Sequence, residues 1–295
     1  MGKDVLSNRQ KKAIKLLGML SLVRWYSIIL LALAQYLAAF FVFNPNSPKI
    51  LLLLDFKLHG IVLATAILIA AGYIINAFYD FEKDLINKPQ ETIINTVVSS
   101  NSSLNIYIAL NFLGLLVAFL SSAKLFLFFF GFSFALWFYS HKLQKIAFLR
   151  ELSASLLTVS AFFSIALHYN RLDISVFVYG SMLFSIILIR EFIKEFINQQ
   201  GDVLYGYNTF LVKYGKRKTK NLIKTLILLS LIIPFTYNHL APGDNAILIL
   251  VIQSVGLVFS GFYIIKRDSK QSLESLNTFY KILMVLGIIG IPLVT

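Results

Sequence analysis

Apolar runs of about 20 residues, the length that carries a helix across a bilayer, recur from one end of this chain to the other. They fall near 20–43, 58–79, 104–120, 124–140, 152–168, 174–196, 221–238, 245–265 and 277–294. Backbone inside hydrocarbon must satisfy its own N–H and C=O groups, which makes each such run a helix. The pattern predicts an all-α polytopic membrane protein with nine transmembrane helices. Some runs are short for a full crossing, and the break at Ser121–Lys124 is the faintest. With 58% hydrophobic and 14% charged residues, the chain is too apolar for a water-soluble fold around one core. No stretch marks off a soluble domain, so 1–295 reads as one transmembrane domain. The absence of cysteine excludes disulfides and thiolate metal sites. His59, His141, His168 and His239 share no metal-ligand spacing.

Charge sets the expected orientation. Lys3, Arg9, Lys11, Lys12 and Lys15 precede the first run, and no small-residue cleavage site follows it, so a retained first helix is expected. If the N-terminus is cytoplasmic, only four of the 27 Lys and Arg residues fall outside: Lys49, Lys57, Lys124 and Arg171. The other 23 lie on the inner side or at inner helix ends, as the positive-inside rule requires. The expectation is a multi-pass protein of the cell inner (cytoplasmic) membrane, its C-terminus outside. The net charge of +13 then has anionic lipid headgroups as its partner. No aromatic–basic module points to nucleic acid.

Two polar stripes stand out at inner helix ends. Asn76, Asp80 and Asp84 recur every four residues at the end of the second run. On a helix each such step turns about 40° net, so all three share one face over a rise of roughly 12 Å. That spread suits a diphosphate with metal ions better than one small cation. Magnesium takes one or two protein carboxylates and fills its other positions with water and phosphate oxygens. A solvated helix end at a membrane surface would give the same spacing. The second stripe, Glu191, Glu195, Asn198 and Asp202, falls within an arc of roughly 60° on the sixth run. Arg190 and Lys194 lie beside it and can balance its charge. Carboxylates near a membrane interior mark a functional site unless they are paired along their own helix.

These residues resemble the UbiA-type intramembrane prenyltransferases. The first motif of that family, N-x-x-x-D-x-x-x-D, is matched by Asn76, Asp80 and Asp84, with a similar continuation Leu85-Ile-Asn-Lys-Pro89. Its second motif, D-x-x-x-D, falls on Asn198 and Asp202, followed by a similar run through Gly206, Thr209 and Gly215. The form of Arg190, Glu191, Lys194 and Glu195 looks most like the geranylgeranylglycerol-phosphate geranylgeranyltransferase branch. Tyr139 resembles a family tyrosine on the fourth helix. Three departures stand out: Asn198 replaces an Asp, Arg150-Glu151 replaces a common Gly-Asn pair, and Gln144 replaces a Lys.

The resemblance implies nine helices around a central cavity, with a cytoplasmic cap from about 80–103 and 197–220. It implies Mg²⁺-dependent transfer of a prenyl group from an allylic prenyl diphosphate to a lipophilic or glycerol-phosphate-type acceptor. Asn76, Asp80, Asp84, Asp202 and Tyr139 would carry the reaction. Asp80, Asp84, Asn198 and Asp202 would bind metal, and Glu195 is expected to replace part of the charge lost at Asn198. Arg24, Lys88, Lys142, Lys145, Arg190, Lys194 and Asn198 would contact substrate. Alternatives left open are an aromatic quinone-precursor acceptor, a catalytically weakened lipid-binding relative and a transporter.

Overall fold

The computed structural model describes residues 18, 22–89, 92, 100–171, 173–267 and 269–294. Among these, nine helical segments are long and apolar enough to cross a membrane. They are α1 (Trp25–Leu37, extended by a π-turn segment Ala38–Phe43), α2 (Phe56–Asn87), α3 (Ser100–Ser121), α4 (Ala123–His141) and α5 (Leu149–Tyr169). The others are α6 (Ile174–Leu204), α7 (Phe210–Ser230, continued by Ile232–Leu240), α8 (Ala246–Lys266) and α9 (Lys270–Ile289). The protein is a multi-pass membrane protein, and apolar side chains such as Phe112, Leu120, Leu127, Phe235 and Phe262 face outward from the bundle. The basic stretch Lys3–Lys15 and the residues after Pro89, Thr92 apart, lie outside the described residues until Ser100.

The faint break between the third and fourth runs is real. Ser122 alone separates α3 from α4, in an extended conformation (φ −172°, ψ 141°). The largest difference from the sequence pattern is at α2 and α6. They run to Asn87 and Leu204, well past the apolar stretches that suggested ends near 79 and 196. A helix of 32 residues is about 48 Å long, against about 30 Å of hydrocarbon. The charged ends stay helical because their charges are matched three residues apart, Asp80 by Lys83 and Glu191 by Lys194. The segments expected to form a cap are thus helical over 80–87, 197–204 and 210–220.

α6 is the central helix, packed against α2, α5, α7 and α9. Its buried face includes Met182, Ile186, Ile189, Phe192 and Ile193. Within the apolar interior, Gln35 of α1 is fully buried, and its amide nitrogen lies 3.0 Å from Thr65 Oγ1 of α2, the Ala161 carbonyl and Ser164 Oγ of α5. The up-and-down order of the helices brings the C-terminal ends of α2, α4 and α6 to the same end of the bundle as the starts of α1, α5, α7 and α9. An isolated bridge between Ile146 and Asn208 ties the α4–α5 and α6–α7 connections together there, with the Asn208 N–H donating to the Lys145 carbonyl at 3.1 Å.

Candidate active site

The α2 ladder forms as its spacing requires, and its middle member is the most engaged. Asp80 is buried and accepts from three donors. Asn76 Nδ2 donates at 3.1 Å, the Tyr207 hydroxyl at 3.1 Å, and Lys83 Nζ lies at 2.8 Å. Tyr207 comes from the α6–α7 connection. Burial, together with the adjacent Asp80 charge, pushes its phenol well above the ordinary value, so it stays protonated and donates. Lys83 also lies 3.8 Å from Asp202 Oδ1 and 4.3 Å from the centre of the Tyr207 ring. Asp84, one turn further on, is half-buried.

The α6 stripe is buried throughout, and each member meets a different partner. Asp202 is fully buried and pairs with Arg150 Nη1 of α5 at 3.0 Å. Glu191 is held by Lys194 at 2.6 Å and by Arg190 at 3.8 Å, while Arg190 Nε donates to Asn277 of α9 at 2.9 Å. Asn198 is buried, and its Oδ1 has no hydrogen-bond partner.

Glu195 meets the start of α7. Its carboxylate accepts the Phe210 N–H at 3.3 Å and the Leu211 N–H at 2.7 Å, the exposed donors of the first turn of α7. Glu195 thus lies against the first turn of α7, and its hydrogen bonds go to that turn. Glu195 lies about two turns before Asp202 and faces α7, where unpaired amide groups attract an anion.

The remaining sequence-derived candidates spread around this centre. Tyr139 lies within electrostatic reach of Glu191, Arg150 and Asp80. Lys145 is exposed but reaches to 5.6 Å from the Tyr207 ring centre. Lys88 acts on Asp84 through its charge. Lys142 is exposed at the end of α4. Arg24 adopts a left-handed conformation (φ 49°) just before α1, with its guanidinium 5.4 Å from the Tyr73 ring centre. Burial alone would lower its pKa, but Tyr73, Tyr26, Glu191 and Asp84 hold it above the ordinary value.

The sequence reading missed Lys83, Arg150 and Tyr207, which make the closest contacts to the two central carboxylates. Arg150-Glu151 was visible as a charged pair opening an apolar run. Lys83 was visible inside the ladder itself. Tyr207 carried no signal beyond its place after the second motif.

The donors fit a magnesium ion shared with phosphate oxygens. Asn76 Oδ1, Asn198 Oδ1 and Asp202 Oδ1 are buried oxygens with no hydrogen-bond partner. Hard oxygens of this kind suit Mg²⁺. Among the described residues, no three His, Cys, Asp or Glu side chains converge on a closed metal cage.

The sequence model of the UbiA prenyltransferase family matches residues 32–284. The chain belongs to this family. One relative of this UbiA-family chain is the digeranylgeranylglyceryl phosphate synthase of Saccharolobus solfataricus, 29% identical over 242 residues, which cover 79% of this chain and 84% of that one. A second, from Korarchaeum cryptofilum, is 28% identical over 230 residues, covering 77% and 82%. Among solved structures, a UbiA homolog from Archaeoglobus fulgidus bound to DMAPP and Mg²⁺ superimposes with a TM-score of 0.65 at 18% identity, covering 92% of this chain and 98% of that one. At that identity the likeness establishes the shared fold.

Proposed function

We propose that this UbiA-family prenyltransferase moves a prenyl group from an allylic prenyl diphosphate to a lipid-type acceptor of the glycerol-phosphate class, with Mg²⁺. The observation that carries this reading is the convergence of Asp80 from α2 and Asp202 from α6 on one buried cationic point, Lys83, beside Arg150. Relatives named for digeranylgeranylglyceryl phosphate synthesis support the acceptor class. A homolog bound to DMAPP and Mg²⁺ supports the donor and the ion.

The C–O bond to the diphosphate breaks, an allylic cation develops, and the acceptor oxygen captures it and loses its proton. Negative charge grows on the leaving diphosphate oxygens. Lys83, Arg150, Lys145 and Arg24 supply fixed positive charge around them, and such preorganised charge acts most strongly where water is excluded. Bound Mg²⁺ would neutralise the same oxygens, held by Asp84, Asp202, Asn198 and Asn76. The faces of Tyr139 and Tyr207 offer electron-rich surfaces to the allylic cation. The apolar bundle provides a slot for the prenyl tail. The N-terminus lies in the cytoplasm of a cell bounded by its inner membrane, so the site opens toward soluble diphosphate and the basic surface faces anionic lipids.

Membranes containing the protein, given radiolabelled geranylgeranyl diphosphate and geranylgeranylglyceryl phosphate, should form a labelled product only when Mg²⁺ is present. Label moving only to an aromatic quinone precursor would replace the acceptor assignment. No transfer to any acceptor would overturn the enzymatic reading.

A further inference from the structure

Asp80 and Asp202 are each charge-paired within the protein. The three donors on Asp80 are Asn76, Tyr207 and Lys83. Arg150 lies at 3.0 Å from Asp202 Oδ2, and Lys83 at 3.8 Å from its Oδ1. All four charged groups are buried. The ammonium of Lys83 therefore stands between the carboxylates of the two motifs, and with Arg150 it balances their charge. The Tyr207 ring covers Lys83 at 4.3 Å and fixes it there. The neighbouring oxygen donors Asn76 and Asn198 are neutral amides.

A diphosphate carries several negative charges and can recruit more than one divalent ion. An ion bridging Asp80 to Asp202 would have to displace Lys83 and meet its repulsion at short range. The oxygens without hydrogen-bond partners, on Asn76, Asn198 and Asp202, together with Asp84, leave donors for a single ion.

Resting on the prenyl diphosphate reading, we propose that Lys83 is a built-in cation of the diphosphate site, joining Asp80 to Asp202 in the place of a second divalent ion. The chain then binds its donor substrate with one Mg²⁺. A lysine serves here because its compact ammonium is a point charge that reaches both carboxylates, as a metal ion would.

Mn²⁺ replaces Mg²⁺ as the probe, counted by electron paramagnetic resonance on the full chain in detergent with a non-hydrolysable prenyl thiolodiphosphate. Binding of the radiolabelled analogue is measured in parallel. The expected result is about one Mn²⁺ per wild-type chain and about two for Lys83→Met, with Lys83→Arg keeping the wild-type count. Without divalent ions Lys83→Met should also unfold at a lower temperature than wild type, and Mg²⁺ should narrow that gap. Should Lys83→Met fail to fold, Lys83→Gln takes its place in both measurements. Equal Mn²⁺ counts in wild type and the neutral variant overturn the role of Lys83, as do two ions on wild type. Absence of both analogue and Mn²⁺ from every variant overturns the prenyl diphosphate reading itself.

Discussion

Asn87 Oδ1 accepts the backbone N–H of Gly201 at 2.9 Å, latching the end of α2 to the end of α6. Lys270 of α9 adds a contact to the Asn87 carbonyl at 3.3 Å. A Cβ on residue 201 would come within 2.5 Å of Asn87 Nδ2, so only glycine permits this approach. Both partners are buried. Gly201 adjoins Asp202 on α6, and Asn87 lies about two turns beyond Asp80 on α2.

Asn87→Ala removes this hydrogen bond between α2 and α6, at a cost of about 0.5–1.5 kcal/mol. Gly201→Ala should force the Asn87 side chain aside and give a similar loss. Thermal unfolding in detergent, alongside donor-substrate affinity, measures both. A Gly201→Ala protein with wild-type stability and affinity would show that the latch is not needed.

Arg150→Met leaves Asp202 buried with its closest cationic partner gone, which should cost about 3–5 kcal/mol. Asp202→Asn removes the charge and should abolish prenyl transfer. The double variant should be destabilised by much less than the sum of the single changes, because each removes what the other leaves unpaired. Additive losses in chemical or thermal unfolding would refute the coupling.

Asp84 is half-buried and stands outside the Lys83 and Arg150 pairs. Asp84→Ala is expected to keep its fold and lose Mg²⁺-dependent turnover by about a hundredfold or more. Full activity would remove Asp84 from the metal site.

Glu195→Gln keeps one acceptor oxygen for the start of α7 and loses the charge that the first-turn amides favour. The expected loss is about 1 kcal/mol of stability, with Mn²⁺ binding unchanged. Adding Asn198→Asp should not repair it. A large fall in metal affinity, rescued by Asn198→Asp, would return Glu195 to the metal site.

Orientation is testable because the chain has no cysteine. Gly243 turns with φ 84°, so a side chain there is strained, and the exposed Asn245 is the better position. Asn245→Cys should react with an impermeant maleimide added outside intact cells. Labelling only from the cytoplasmic side would invert the topology.

The bundle was legible in the sequence because hydrocarbon permits little besides helices, and each run carries its own length. The faces of Asn76, Asp80, Asp84 and of Asn198, Asp202 were legible because helical period is local. The ends of α2 and α6 were not, since charges paired along a helix extend it without any apolar signal. Partners that come from other helices were also hidden. Nothing local distinguishes Arg150 from the basic residues that sit at inner helix ends for topological reasons. The part of Glu195 depends on where α7 begins, and Thr209, which donates no helix-period signal, sets that start by accepting from Val212 N–H at 3.4 Å.

The buried amide of Gln35 bears on how the chain is assembled during synthesis. Its partner Thr65 follows within the next helix, but Ala161 and Ser164 arrive more than 120 residues later. When α1 and α2 enter the bilayer, that amide can meet only Thr65, and its remaining hydrogen-bonding capacity faces hydrocarbon or the insertion machinery. The α1–α2 hairpin is thus a sticky intermediate with a defined acceptor still to come. Arrival of α5 supplies the further acceptors of the amide nitrogen, before the sixth helix brings the second motif to the site.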